Sequence, residues 1–263
     1  MKIVSFSVDG EQLAGIVEGD LVIEAGSDPL SPERGTRSWP LSDVQLLAPV
    51  PRPGKVICVG LNYRDHAEES NMAIPTSPVL FTKFANAVIA DGESIILPSG
   101  SEQVDYEAEL AVVIGGTAKD VSEADALDYV LGYTCANDVS ARDFQFADGQ
   151  WFRGKGQDTF CPLGPWIVTT DELPDPQSLS IRCIVNGDAL QDSSTKEMIF
   201  GVAELVSFIS HGITLERGDV ILTGTPVGVG FARKPPVFLT DGDTVSIEIE
   251  GIGSLTNPVV AGH

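Results

Sequence analysis

"QVDYEAELAVVIGG", residues 103–116, decides how this chain is read. Its second half is an apolar, strand-like run that belongs in a core. Its first half places Asp105, Glu107 and Glu109 at every second position. Side chains along a strand alternate between faces, so these three carboxylates share one face. Three like charges running into a buried strand repel one another and are costly to desolvate. A bound cation stabilises such a cluster. The stretch therefore predicts a core strand with a site at its start.

On either side, strand signals dominate. "KIVSFSV" and "LAGIVEGDLVIEA" flank a hairpin signal at Asp9-Gly10, and Glu18-Gly19-Asp20 is a second turn. Residues 26–42 read as a loop, and the proline-rich "LLAPVPRPGK" (46–55) as an extended linker. A small N-terminal β domain over 1–50 and a larger domain over 51–263 follow from that boundary. "VICVG", "PVLFTKF", "SIILP", "YTCANDVS", "GPWIVTT" and "SIRCIVNGDAL" are further strands, the last turning at Asn186-Gly187. "SEADALDYVLG" (122–132) predicts a helix with Ser122 as N-cap, Asp125 at the capping-box position and Gly132 as its stop. "GVAELVSFISHG" (201–212) predicts an amphipathic helix, and "DTVSIEIEGIGSLTNPVV" a closing hairpin. Few βαβ alternations occur, so the fold class is mixed α+β and strand-rich, a roll or sandwich and not a doubly wound sheet.

Composition narrows the function. Among 263 residues, 38 are acidic and 16 basic, a net charge of −22 that argues against a nucleic-acid partner. No apolar run is long enough for a transmembrane helix, and "MKIVSFSVDGEQ" turns polar too soon for a signal peptide. The expectation is a cytoplasmic protein with no membrane partner. Cys58, Cys135, Cys161 and Cys183 have no CxxC spacing and no histidine placed for zinc, which suits buried free thiols.

Several polar motifs interrupt these apolar runs. Glu107 and Glu109, two apart on a strand, can reach one hard cation, and Asp138 in "CANDVSARD" can complete the face. Spacing alone favours an exposed edge strand for the two glutamates; the apolar flanks shift the reading toward a metal. Asp105 either supports the site or forms a turn. In "VGLNYRDHAEE", His66 and Glu69 lie three apart and, on a helix, form a hydrogen-bonded pair. Arg142 and Gln145 follow Asp138 closely. Lys155 sits between glycines in "RGKGQDTFCPLGP", which permits close approach to a ligand. Thr225 occupies the Gly-rich turn of "LTGTPVGVG". His211 closes a helix and reads as structural; His263 is given no role. A metal-binding protein without catalysis ranks low because His66 and Glu69 are both present. A nucleotide binder ranks lower, since neither GxGxxG after a first strand nor GxxxxGK[ST] occurs.

"GLNYRDHAEE", "DYEAEL", "NDVSARDFQ", "GKGQDTFCPLGP" and "TGTPVGVG" together resemble the fumarylacetoacetate hydrolase family over roughly residues 45–260. With "GDVILTGTPVGVG" and "RKPPVFL" they most resemble its branch called fumarylacetoacetate hydrolase domain-containing protein 2 and bacterial relatives. The resemblance implies a β-roll catalytic domain, a homodimer, and bound Mg²⁺ or Mn²⁺. It assigns Glu107, Glu109 and Asp138 to the metal and His66 and Glu69 to acid–base work. Lys155 would stabilise developing charge. Tyr63, Arg142, Gln145 and Thr225 would line the pocket and hold substrate. The founding enzyme has a further aspartate ligand, for which Asp65 is the candidate, and a larger N-terminal domain. The implied function is metal-dependent hydrolysis of a C–C bond in a small β-diketo acid, such as an acylpyruvate. The alternatives are tautomerisation or decarboxylation of oxaloacetate, or isomerisation of 2-hydroxyhepta-2,4-diene-1,7-dioate, on the same site.

Overall fold

The run after the acidic repeat forms the strand Ala108–Ile114, and all seven of its residues are buried. A strand covered on both faces reads as a continuous apolar run, which is why this segment shows no alternation. The structure, a computed structural model, describes residues 1–262. His263 lies outside the described residues.

Ala108–Ile114 lies inside a twelve-stranded mixed sheet. On one side it pairs antiparallel with Val130–Asn137, which continues to Cys161–Thr169, Lys2–Val8 and Glu11–Glu18. On the other side it pairs with Val220–Leu222, which runs parallel to Val56–Gly60, itself antiparallel to Val79–Lys83. The strands before residue 50 thus extend the same sheet, joined through Lys2↔Val168 and Ile3↔Ile167. A second, five-stranded sheet runs Asp188–Ser194, Ser180–Val185, Thr244–Ile249, Gly253–Ala261, Ile95–Leu97. Thr244–Ile249 alternates between buried and more accessible positions, as a strand with one covered face must. Its Val245, Ile247 and Ile249 share one core cluster with Leu110, Val112 and Ile114. The two sheets therefore enclose the main core, and the strand-rich α+β expectation holds.

Asp9 (φ 50°) and Gly10 (φ 81°) both take left-handed backbone, the geometry of a tight two-residue hairpin. Four α-helices are described: α1 (Arg64–Glu69), α2 (Arg142–Ala147), α3 (Phe152–Lys155) and α4 (Val202–Gly212). Only α4 is long, and it buries Leu205, Val206 and Ile209 along one stripe, as its sequence predicts. The helix expected over 122–132 is not formed. Glu123–Tyr129 is a 3₁₀ segment, and Val130 already begins a strand that carries Gly132 inside it. The Ser122 hydroxyl donates to the Asp125 carboxylate at 2.6 Å and caps no backbone N–H. Pairing of Val130 with Ile114 in the large sheet overrides the weak preference of a segment too short to hold a helix alone. The loop expected over 26–42 also contains a short edge strand, Ser38–Pro40, that stacks Trp39 on Phe6.

Candidate active site

The acidic repeat does not act as one unit. The chain leaves its pairing between Asp105 and Ala108, so the three carboxylates take two directions. Asp105 is fully buried and accepts from the Gly230 and Phe231 N–H groups at 2.7 and 3.1 Å and from Arg142 Nε at 2.9 Å. It anchors a turn and a guanidinium. Burial pushes its pKa up, against the pull of Arg142. Glu107 and Glu109 instead converge with Asp138, which follows the neighbouring strand. One carboxylate oxygen from each lies within 4.8 Å of the others, and all three residues are buried. Among the described residues this is the one grouping of three metal-competent side chains.

Cations surround two of these carboxylates and leave the third alone. Lys155 Nζ donates to Glu107 Oε2 at 2.7 Å and to Asp138 Oδ2 at 2.8 Å. Arg142 Nη2 donates to Glu107 Oε1 at 2.7 Å. Burial raises the Glu107 pKa, but Lys155 and Arg142 outweigh it and hold the carboxyl well below its usual range. Burial likewise opposes the charge of Lys155, yet Asp138 and Glu107 raise its pKa. Glu109 accepts only the Gly224 N–H, at 2.7 Å. Burial, then Asp138 and Glu107, push its pKa well above normal. A buried carboxylate facing two others without a cation of its own is what a divalent ion would neutralise. The all-oxygen donor set suits Mg²⁺ or Mn²⁺ over softer metals, so these residues fit the cation that the motifs imply.

Lys83, unnoticed in the sequence, braces the cluster from below. It is buried and donates to the carbonyls of Val139 (2.9 Å), Phe160 (2.8 Å) and Lys155. Those bonds use its three protons. Its 2.6 Å contact with Asp138 Oδ1 is therefore one of charge, and that oxygen accepts no hydrogen bond. Lys83 thus ties together the segments that carry Asp138 and Lys155. The glycines flanking Lys155 were expected to admit a ligand; what Gly154 admits here is neighbouring backbone. A side chain there would strike the Gln145 and Ala141 backbone, so glycine lets α3 lie against α2.

The acid–base pair sits on α1. His66 Nδ1 is 3.2 Å from Glu69 Oε2, and both Glu69 oxygens accept from the Gly228 N–H at 3.1 Å. His66 Nε2 has no protein hydrogen-bond partner among the described residues. Asp65 accepts the His66 N–H at 2.8 Å, the Ser193 hydroxyl and, at 3.4 Å, the Val227 N–H. It fastens the start of α1 and takes no part in the carboxylate cluster.

A cavity of about 150 Å³ opens over these groups. Glu107, Glu109, Lys155 and His66 meet there, with Arg142, Gln145 and Thr225 on its wall. Arg142 holds the Gln145 oxygen at 3.0 Å, and Thr225 accepts from Gln191 at 2.8 Å. Phe81, Trp151, Phe146 and Phe231 provide apolar surface. Tyr63, expected in the lining, is not part of it. Its ring is fully buried and its hydroxyl has no partner. Burial, then Glu109 and Asp65, raise its pKa well above normal.

Known proteins resemble this chain in sequence and fold. The family described as fumarylacetoacetate (FAA) hydrolase C-terminal matches residues 55–260, and one described as Rv2993c-like, N-terminal, matches residues 1–49. The rat protein named oxaloacetate tautomerase Fahd2a, mitochondrial, is 52% identical over 222 residues, 84% of this chain and 71% of its own length. The solved 2-hydroxyhepta-2,4-diene-1,7-dioate isomerase from Mycobacterium marinum is 46% identical with a TM-score of 0.88, covering 99% of this chain and 98% of its own. The fumarylacetoacetate hydrolase of Exiguobacterium antarcticum is 42% identical with a TM-score of 0.91, with both chains covered completely.

Proposed function

The chain belongs to the fumarylacetoacetate hydrolase family, and on that premise we propose that it is a divalent-metal-dependent tautomerase of a small 2-oxo dicarboxylate, with oxaloacetate as the substrate. The observation that carries this reading is a single histidine, oriented by a carboxylate, that lines the same small cavity as Glu107, Glu109 and Lys155. Moving a proton along a three-atom oxo–enol unit needs little more. Sequence reasoning ranked C–C hydrolysis first and this chemistry second; the names of the rat and M. marinum proteins support the reverse order.

Glu107, Glu109 and Asp138 would hold Mg²⁺ or Mn²⁺, which when bound polarises the oxygens of a 2-oxo acid as a Lewis acid. Arg142 keeps Glu107 in place through its hydrogen bond. Glu69 accepts the His66 Nδ1 proton, leaving Nε2 as the base that takes a proton from C3 and returns it to oxygen or carbon. The Lys155 ammonium adds positive charge where charge develops on the substrate oxygen. Gln145 and Thr225 hold the substrate carboxylate. Phe81 and Trp151 limit water.

Clefts for drug-sized ligands run to roughly 300–1,000 Å³, so the smaller cavity here supports a substrate of few atoms. We extend the reading to a homodimer, supported by the exposed Phe84 and Phe152, stacked edge to face on the surface. The division near residue 50 and a cytoplasmic location remain part of the proposal. No described helix is long and apolar enough to cross a membrane.

A second reading, hydrolysis of a C–C bond in a small β-diketo acid such as an acylpyruvate, has its support in the E. antarcticum protein, which is named a fumarylacetoacetate hydrolase. One experiment separates them. Enol decay and CO₂ release from oxaloacetate, and cleavage of acylpyruvates, are followed separately with Mg²⁺. Accelerated enol decay without matching CO₂ release is expected. Acylpyruvate cleavage with enol decay at the spontaneous rate would replace the tautomerase by the hydrolase.

A further inference from the structure

The Ser70 hydroxyl is buried and has no hydrogen-bond partner, yet Ser70 lines the same cavity as His66. A buried donor left unmade costs about 1–3 kcal/mol unless something supplies its acceptor. Ser70 has helical backbone, with its N–H bonded to the His66 carbonyl at 3.0 Å. It therefore stands four residues beyond His66 on the same helical face. We propose that Ser70 is a specificity-determining residue whose hydroxyl donates to the distal carboxylate of a 2-oxo dicarboxylate, one bond beyond the carbon where His66 moves a proton.

Helix spacing supports the assignment. Side chains at i and i+4 on a helix are about 5–6 Å apart between Cβ atoms. A carboxylate attached to the carbon at His66 bridges that gap with one hydrogen bond of about 2.7 Å. Lys155, Arg142, Gln145 and Thr225 all come from elements other than α1, and Lys155 and Arg142 are already engaged with Glu107. Ser70, the residue that caps α1, is then the hydroxyl donor that this segment brings to the substrate beside His66. Its neighbour on the cavity wall, Met72, is apolar and offers a distal carboxylate no competing partner.

The inference rests on the proposed tautomerase reading, and its test is chosen to fail separately. Pyruvate is oxaloacetate without the distal carboxylate. Ser70→Ala and Ser70→Thr are compared with the unaltered protein, all loaded with Mg²⁺. The readouts are kcat/KM for oxaloacetate enol decay, the inhibition constant of pyruvate, and calorimetric binding of both acids. Ser70→Ala should lose about tenfold to a hundredfold for oxaloacetate, the worth of a hydrogen bond to a charged group. Pyruvate should bind unchanged, and Ser70→Thr should recover most of the loss. Equal weakening of both acids, or none for oxaloacetate, overturns the assignment. If the unaltered protein does not speed enol decay but the binding difference persists, the tautomerase reading falls and the Ser70 contact stands.

Discussion

Replacing Glu109 with glutamine should act in opposite directions on the metal-free and metal-loaded protein. Without metal, the carboxyl is buried, accepts one backbone N–H and faces Asp138 and Glu107. Its pKa is raised from an ordinary 4.5, so the folded state holds this proton more tightly than the unfolded chain. Stability contributed by the protonated form is lost as pH rises from about 4.5 through the raised value. An amide keeps the acceptor for Gly224 and carries no charge, so Glu109→Gln should melt at or above the parent temperature at neutral pH. With metal the sign reverses. A cation at 100 times its dissociation constant stabilises by about 2.7 kcal/mol. Unfolding entropy of about 2.1 cal/mol/K per residue gives this chain about 0.55 kcal/mol/K, so the parent should gain about 5 °C. A hundredfold loss of affinity leaves about 0.4 kcal/mol, a shift under about 1 °C. Thermal melts with and without Mg²⁺, at pH 6 and 8, check both halves. In the parent, Mg²⁺ affinity should also fall at lower pH, because a proton competes for Glu109. A full Mg²⁺ shift in Glu109→Gln would remove this residue from cation binding. A large drop in the metal-free melt would show that the carboxylate is charged and compensated by something else.

Other perturbations probe different parts of the site. His66→Ala should keep the Mg²⁺-induced thermal shift yet slow enol decay by about 10²–10⁴-fold, a range set by general acid–base catalysis and read by stopped-flow absorbance. Lys83→Met removes the donor to three carbonyls and leaves Asp138 Oδ1 facing no charge. It should cost about 3–5 kcal/mol, or roughly 5–9 °C in the melt, and an unchanged melting temperature would contradict that bracing role. Gly230→Ala drives a methyl into the Val237 carbonyl and the Asp105 carboxylate. It should destabilise by about 1–3 kcal/mol and raise KM, since Asp105 anchors Arg142; denaturant melts and kinetics check the pair.

What could be read from the sequence follows from how local each signal is. The fully buried strand at 108–114, the hairpins at Asp9-Gly10 and Asn186-Gly187 and helix α4 announce themselves within a dozen residues. So does the His66–Glu69 pair, because a three-residue spacing on a helix fixes its own geometry. The convergence of Glu107 and Glu109 with Asp138 was legible because both acidic sites interrupt apolar runs. The shared face drawn for Asp105 does not hold, since alternation predicts one only while the strand continues and this one breaks after Asp105; its reading as a support or turn residue matches its bonds to Arg142, Gly230 and Phe231. Lys83 was illegible: a lysine in a strand ordinarily marks an exposed face, and its three acceptors come from residues 56 to 77 positions away. The aromatic neighbours Phe81 and Phe84 were the only local hint. Tyr63 fell out of the lining because side-chain direction at a helix start depends on packing, not on motif order. The 122–132 helix failed because a distant partner, Ile114, claimed Val130.

The position of Val220–Leu222 has a consequence for how the protein is made. This three-residue strand sits between Ala108–Ile114 and Val56–Gly60, both synthesised far earlier. Until the ribosome has released it, the two halves of the large sheet cannot zip together, and each presents a bare apolar edge. Nascent chains stalled short of this point should be the species that chaperones hold and that clump when overproduced.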